Sequence, residues 1–95
     1  MPKIIVRAYA GLGDIFGSRK LEVSTPAETV EELIDFLSDR YVTSLKERLI
    51  ETQTGELRGS YRVLVNGREI TSLNKLKTKI QEGDEITFFP PVSGG

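Results

Sequence analysis

Phe88-Phe89-Pro90-Pro91 limits what this chain can fold into more than any other stretch. The two aromatics close an apolar run that opens at Glu85, a pattern suited to a last β-strand. The prolines end that strand, because each holds φ at about −65° and lacks the N–H that a further sheet residue would donate. The chain must therefore leave the sheet on an extended, polyproline-like course. Val92 and Ser93 continue that course, and Gly94-Gly95 carries no Cβ, so the backbone can pass where any side chain would clash. The expected organisation is a compact domain over residues 1–89 and an extended tail over 90–95, with the α-carboxylate of Gly95 displayed at its end.

What precedes the tail is enough for one domain: 95 residues in all, with 13 basic and 14 acidic side chains and a net charge of −1. That balance gives no general attraction to nucleic acid or to an anionic membrane. There is no Cys and no His. Disulfides, thiol nucleophiles and imidazole bases are therefore absent from the chain, and any chemistry needing them must come from a partner. No apolar run approaches the roughly 20 residues that span a bilayer, and the start lacks a signal-peptide pattern, so a cytoplasmic location is expected.

Two hairpins and a helix can be read in order. Residues Lys3 to Ala10 form the first strand, with Ile4, Val6 and Ala8 on one face and Ile5, Arg7 and Tyr9 on the other. Gly11 to Gly17 has glycines near a strand exit, but Phe16 stands where a dinucleotide-binding loop needs its third glycine. A turn, with Leu12, Ile15 and Phe16 closing one end of the core, is the better reading. Lys20 to Ser24 alternates as a half-buried second strand that Pro26 stops. Thr29-Val30-Glu31-Glu32 has the form of a capping box, and Val30, Leu33, Ile34, Leu37 and Tyr41 follow at helical spacing. Ser44 to Glu47 repeats the box and predicts a short second helix carrying Leu45, Leu49 and Ile50 inward.

Tyr61 to Val65 reads as a third strand, and Asn66-Gly67 as a type I′ turn, which needs φ > 0 at both central positions. Arg68 to Ile70 returns as a fourth strand. Leu73, Leu76 and Ile80 then mark an apolar rhythm that leads to the strand Glu85 to Phe89. Lys75, Lys77 and Lys79 alternate with these anchors, as on a solvated face; a phosphate groove is the other reading. The order β-β-α-β-β describes a small α+β domain.

The closing run Phe88-Phe89-Pro90-Pro91-Val92-Ser93-Gly94-Gly95, entered through Gly83-Asp84-Glu85-Ile86-Thr87, resembles the end of the small, sulfur-carrying subunits of molybdopterin synthase. A terminal Gly-Gly alone arises by chance in roughly 0.5% of chains, so the whole run carries the likeness. The resemblance implies a ubiquitin-like β-grasp fold: a mixed sheet of four to five strands, one main helix across one face, and the last strand central and parallel to the first. It also implies a carrier that is no enzyme on its own. A ubiquitin-activating-type enzyme would use ATP to adenylate Gly95, and sulfur would then replace the adenylate to give a thiocarboxylate. The large synthase subunit would accept the tail and build molybdopterin, so this chain would act only as the sulfur-donating subunit of that sulfurtransferase.

On this reading the chain binds no cofactor or metal of its own. Gly95 carries the sulfur, Gly94 slims the thread, and Phe89, Pro90, Pro91, Val92 and Ser93 contact the partner. Phe88 points to the core and Phe89 away from it. Arg7 and Glu69 place charge where the family commonly has apolar residues. They are expected on adjacent strands of the partner-facing sheet, meeting charges on the partner. Related carriers serve tRNA thiolation or thiamine synthesis, and related modifiers join the terminal glycine to a lysine of another protein. A plain binding module would leave the Gly-Gly end without a use.

Overall fold

The computed structural model describes residues 1–9, 19–41 and 43–90. Five strands form one sheet: β1 (Lys3–Ala8), β2 (Lys20–Ser24), β3 (Arg62–Val65), β4 (Arg68–Glu69) and β5 (Glu85–Phe89). Their order is β2-β1-β5-β3-β4. The β5 strand lies in the middle, parallel to β1 with Val6 beside Ile86 and Ala8 beside Phe88, and antiparallel to β3 with Val63 beside Phe88. This is the ubiquitin-like β-grasp arrangement. The described residues include no helix long and apolar enough to cross a membrane.

Alternation decides which sheet face is covered. Ile4, Val6, Ala8, Val23, Val63, Val65, Ile86 and Phe88 all point to one side and are buried. Helix α1 (Val30–Arg40) lies there, contributing Val30, Leu33, Ile34 and Leu37 to the same core. Burying such side chains contributes about 1.5–3 kcal/mol each, which is why the period-2 and period-3.6 patterns must face one another. Thr29 Oγ1 caps α1 by accepting the Glu32 N–H at 3.2 Å. Glu32 returns a bond, but to the Glu28 N–H at 2.9 Å, one residue before the cap. Tyr41 does not continue the apolar stripe. The helix ends at Arg40, and Tyr41 turns away at ψ −49° and φ −123° with 49% of its surface exposed.

The second helix, α2 (Leu45–Leu49), forms as expected and buries Leu45, Leu49 and the following Ile50. Its start is held differently from the sequence pattern, because Ser44 makes no side-chain cap. Instead Ser38, a turn from the end of α1, accepts the Lys46 N–H and donates to the Thr43 carbonyl, both at 3.2 Å. A tertiary contact has replaced a local one.

Asn66 and Gly67 have φ of 52° and 85°, as a type I′ turn requires. The β4 strand stops at Glu69, and Ile70 opens a 3-10 turn instead. Beyond it Leu76 and Ile80 are buried, while Leu73 is 37% exposed and is not an anchor. Lys75, Lys77 and Lys79 are all exposed. Lys75 and Lys77 border a cleft of about 430 Å³, but Glu31 and Glu56 line it too, and Lys77 is already paired with Glu31 at 2.7 Å. The lysines thus do not assemble a phosphate groove. The turn read at Gly11 to Gly17, with Leu12, Ile15 and Phe16, lies outside the described residues.

Candidate docking face and tail root

The sheet face opposite α1 is the candidate site, and strand alternation assembles it. Ile5, Arg7 and Tyr9 follow β1, Glu85, Thr87 and Phe89 come from β5, Arg62 and Leu64 from β3, and Glu69 from β4. Ile5, Leu64 and Phe89 are half-buried, and Thr87 between them is buried to 8% exposure. An apolar middle on an uncovered sheet face, rimmed by charge, is the usual anatomy of a protein-docking surface.

Phe89 is turned outward as its position implies, and it is not bare. Its ring stacks on Tyr9, centroids 4.8 Å apart and planes within 5°. The Tyr9 N–H prolongs the parallel β1–β5 pairing by donating to the Phe88 carbonyl at 3.3 Å. Phe88 itself is fully buried on the other side. Pro90, half-buried, follows directly, so the tail begins beside this aromatic pair at one end of the central strand. Pro91, Val92, Ser93, Gly94 and Gly95, the other residues assigned to the tail, lie outside the described residues.

Arg7 and Glu69 are on this face, but not on adjacent strands: β5 and β3 separate β1 from β4. Each has a partner within the chain. Arg7 Nε lies 3.0 Å from Glu85 Oε1. The buried Nε has no well-aligned hydrogen-bond acceptor among the described residues, so the contact is a close ion pair. The Glu85 carboxylate, at hydrogen-bonding range and by its charge, raises the Arg7 pKa above the ordinary arginine value, with the Tyr9 hydroxyl adding to it. Glu69 accepts from Arg62 at 2.8 Å and from the Thr71 hydroxyl at 3.4 Å. Lys3 and Glu22 form a further exposed pair at 3.6 Å. The charges expected to wait for a partner are mostly satisfied at home, so the apolar middle carries the surface.

Tyr9, Thr87, Leu64 and Glu85 were not among the residues assigned to the site from the sequence. Tyr9 could have been found from its shared face with Arg7. Glu85 could not, because nothing in the spacing of residues 7 and 85 sets the β1–β5 register. Among the described residues no group of three or more Asp or Glu side chains is placed to hold a metal ion.

The ThiS family model matches residues 6–95. Small archaeal modifier protein 3 of Haloferax volcanii is 35% identical over 92 residues, covering 95% of this chain and 96% of that protein. The sulfur carrier protein CysO of Mycobacterium tuberculosis is 31% identical over 74 residues, 77% of this chain and 78% of the other. The crystal structure of SAMP1 from Haloferax volcanii superimposes with a TM-score of 0.79 at 32% identity, covering 98% of this chain and 99% of that one.

Proposed function

Because this chain belongs to the ThiS family of ubiquitin-like sulfur carriers, we propose that it carries sulfur on Gly95 and delivers it as the small subunit of molybdopterin synthase. The observation that carries the reading is that the family match runs through Gly95 itself, over the sequence run Phe88 to Gly95 whose first two residues end the central strand. A free carboxylate is a poor electrophile. One of its oxygens therefore attacks the α-phosphorus of ATP on a ubiquitin-activating-type enzyme, releasing pyrophosphate and leaving an acyl-adenylate. A sulfide donor then forms a bond to the acyl carbon, AMP departs, and the proton lost to water leaves a thiocarboxylate.

The carrier's own residues do the positioning. The Tyr9–Phe89 pair and the apolar middle of the open face dock the partner, Pro90 and Pro91 direct the chain outward, and Gly94 lets it enter a narrow channel. Acids and bases come from the partner, in keeping with a chain that has neither His nor Cys. In the large synthase subunit, two successive sulfur transfers would complete the dithiolene on a pterin precursor.

A second reading is favoured by the modifier relative. In it the activated Gly95 carbonyl is attacked by a lysine amine of another protein, forming an isopeptide bond as AMP or a partner enzyme's thiol leaves. The two readings share activation and diverge afterwards. Incubation with the cognate activating enzyme, ATP and a sulfide donor should exchange one oxygen for sulfur at Gly95, seen by mass spectrometry of the terminal peptide. Adding the large subunit and pterin precursor should return the carboxylate and yield molybdopterin. An unchanged mass with an active enzyme overturns sulfur carriage, while Gly95-linked lysines in place of molybdopterin select the modifier reading.

A further inference from the structure

The β3–β4 turn holds chemistry that sulfur carriage does not use. Asn66 and Gly67 are both exposed and both at positive φ. The Asn66 side chain reaches to the entry of β5: Nδ2 donates to Asp84 Oδ1 at 3.0 Å, and Oδ1 accepts the Glu85 N–H at 2.9 Å. The Asn66 N–H in turn donates to the Glu85 carbonyl at 2.8 Å. The other oxygen of Asp84 accepts the Gln81 N–H at 2.8 Å. One primary amide thus locks a hairpin turn to the first residue of the central strand.

The same amide is an electrophile beside an unhindered nucleophile. Gly67 has no Cβ to keep its nitrogen from the Asn66 Cγ, and open space surrounds it. Ring closure requires the side chain to give up both bonds and swing toward its own C-terminal neighbour, which the turn and its partners oppose. We infer that Asn66-Gly67 is a self-modification site, a deamidation site held closed by Asp84 and Glu85, and that its reaction unfastens the entry of β5. The Gly67 nitrogen bonds to Asn66 Cγ and its proton passes to a water base. The Cγ–Nδ2 bond then breaks, and ammonia leaves with that electron pair and a proton. Water opens the cyclic imide at either carbonyl, giving aspartate or isoaspartate. The only co-reactant is water.

Either product undoes the lock. In aspartate the donor to Asp84 is replaced by an oxygen, so two carboxylates meet where a hydrogen bond was, and like charges at that range oppose joint ionisation. In isoaspartate the backbone gains a methylene within the turn, so the cross-strand bonds from Asn66 cannot both be kept.

The test follows uptake of heavy oxygen from labelled water at residue 66 in the full chain at neutral pH. Native protein should convert slowest and urea-unfolded protein fastest. Asp84→Ala, which removes the Nδ2 acceptor, should convert roughly tenfold faster than the native chain, the effect of losing one hydrogen bond to a charged group. Asp84→Asn keeps only one of the two acceptor oxygens and should convert at a rate between wild type and Asp84→Ala, and a cooperative urea transition in Asp84→Ala separates loss of the lock from loss of the fold. In aged wild-type protein the converted chains should show faster amide exchange at Glu85. Equal rates in native and unfolded protein, or conversion that leaves Glu85 exchange unchanged, would overturn the inference.

Discussion

Tyr9 and Phe89 stack across the parallel β1–β5 pair with ring centroids 4.8 Å apart and planes within 5°. Centroids at that spacing in near-parallel rings describe an offset stack, the arrangement that aromatic quadrupoles favour. The contact joins the end of β1 to the residue at which the central strand gives way to the tail. It therefore fixes where the tail starts and presents two aromatic surfaces beside it.

The two neighbouring phenylalanines should consequently behave as different residues. Phe88→Ala empties a fully buried site and should cost about 3–5 kcal/mol of unfolding free energy. Phe89→Ala loses a half-buried ring and its stack and should cost about 1 kcal/mol. Urea unfolding of both variants measures this, and equal losses would show the face assignment to be wrong.

Docking should depend on the aromatic pair more than on the charges around it. Tyr9→Ala and Phe89→Ala should each weaken binding to the activating enzyme roughly tenfold or more, as loss of an interface anchor does. Calorimetric titration against folded variants checks this. An unchanged Kd for both variants would remove the open face from the docking reaction.

Salt should affect that association only modestly, because Arg7 and Glu69 are matched by Glu85 and Arg62 within the chain. The Arg62–Glu69 pair is exposed, and its coupling energy in a double-mutant cycle should be under about 1 kcal/mol. Stopped-flow association rates across ionic strength report the rest. A steep fall with salt would mean that these pairs open to meet the partner.

The two helix starts give a paired prediction. Ser38→Ala removes the hydroxyl that accepts the Lys46 N–H and donates to the Thr43 carbonyl, and should cost about 1 kcal/mol. Ser44→Ala, at the position that the local pattern marks as the cap, should change stability by under about 0.5 kcal/mol, since Ser44 makes no capping bond. Thermal or urea unfolding separates them, and a reversed order would contradict the observed capping.

One alkaline dependence follows from Lys46, whose ammonium lies 2.9 Å from Asp35. Hydrogen bonding to that carboxylate, and then its charge, raises the lysine pKa above its usual 10.5. The sign follows from the folded state binding the proton more tightly than the unfolded one. The contribution is fully present below 10.5 and is lost as pH rises through the raised folded value. Unfolding free energy measured from neutral to strongly alkaline pH should fall less in Asp35→Asn than in wild type over that last interval. Identical alkaline profiles would show the pair to be without effect.

What the sequence determined by itself is local. Alternation at Ile4, Val6 and Ala8 set the buried face of β1, Thr29 marked the start of α1, and Asn66-Gly67 specified its turn. In each case the deciding interaction joins residues a few positions apart, so the pattern and its cause lie in the same short stretch. The placement of β5 beside β1 came from resemblance to a family, and periodicity alone stopped at an α+β domain. Tertiary structure decided the rest. Arg7 meets Glu85, Tyr9 meets Phe89, and Ser38 rather than Ser44 caps α2, all through contacts whose register depends on how separate elements pack. Tyr41 and Leu73 fit an apolar rhythm and are nevertheless exposed, because a helix that ends or a turn that reverses removes a residue from the core without changing the spacing that seemed to place it there.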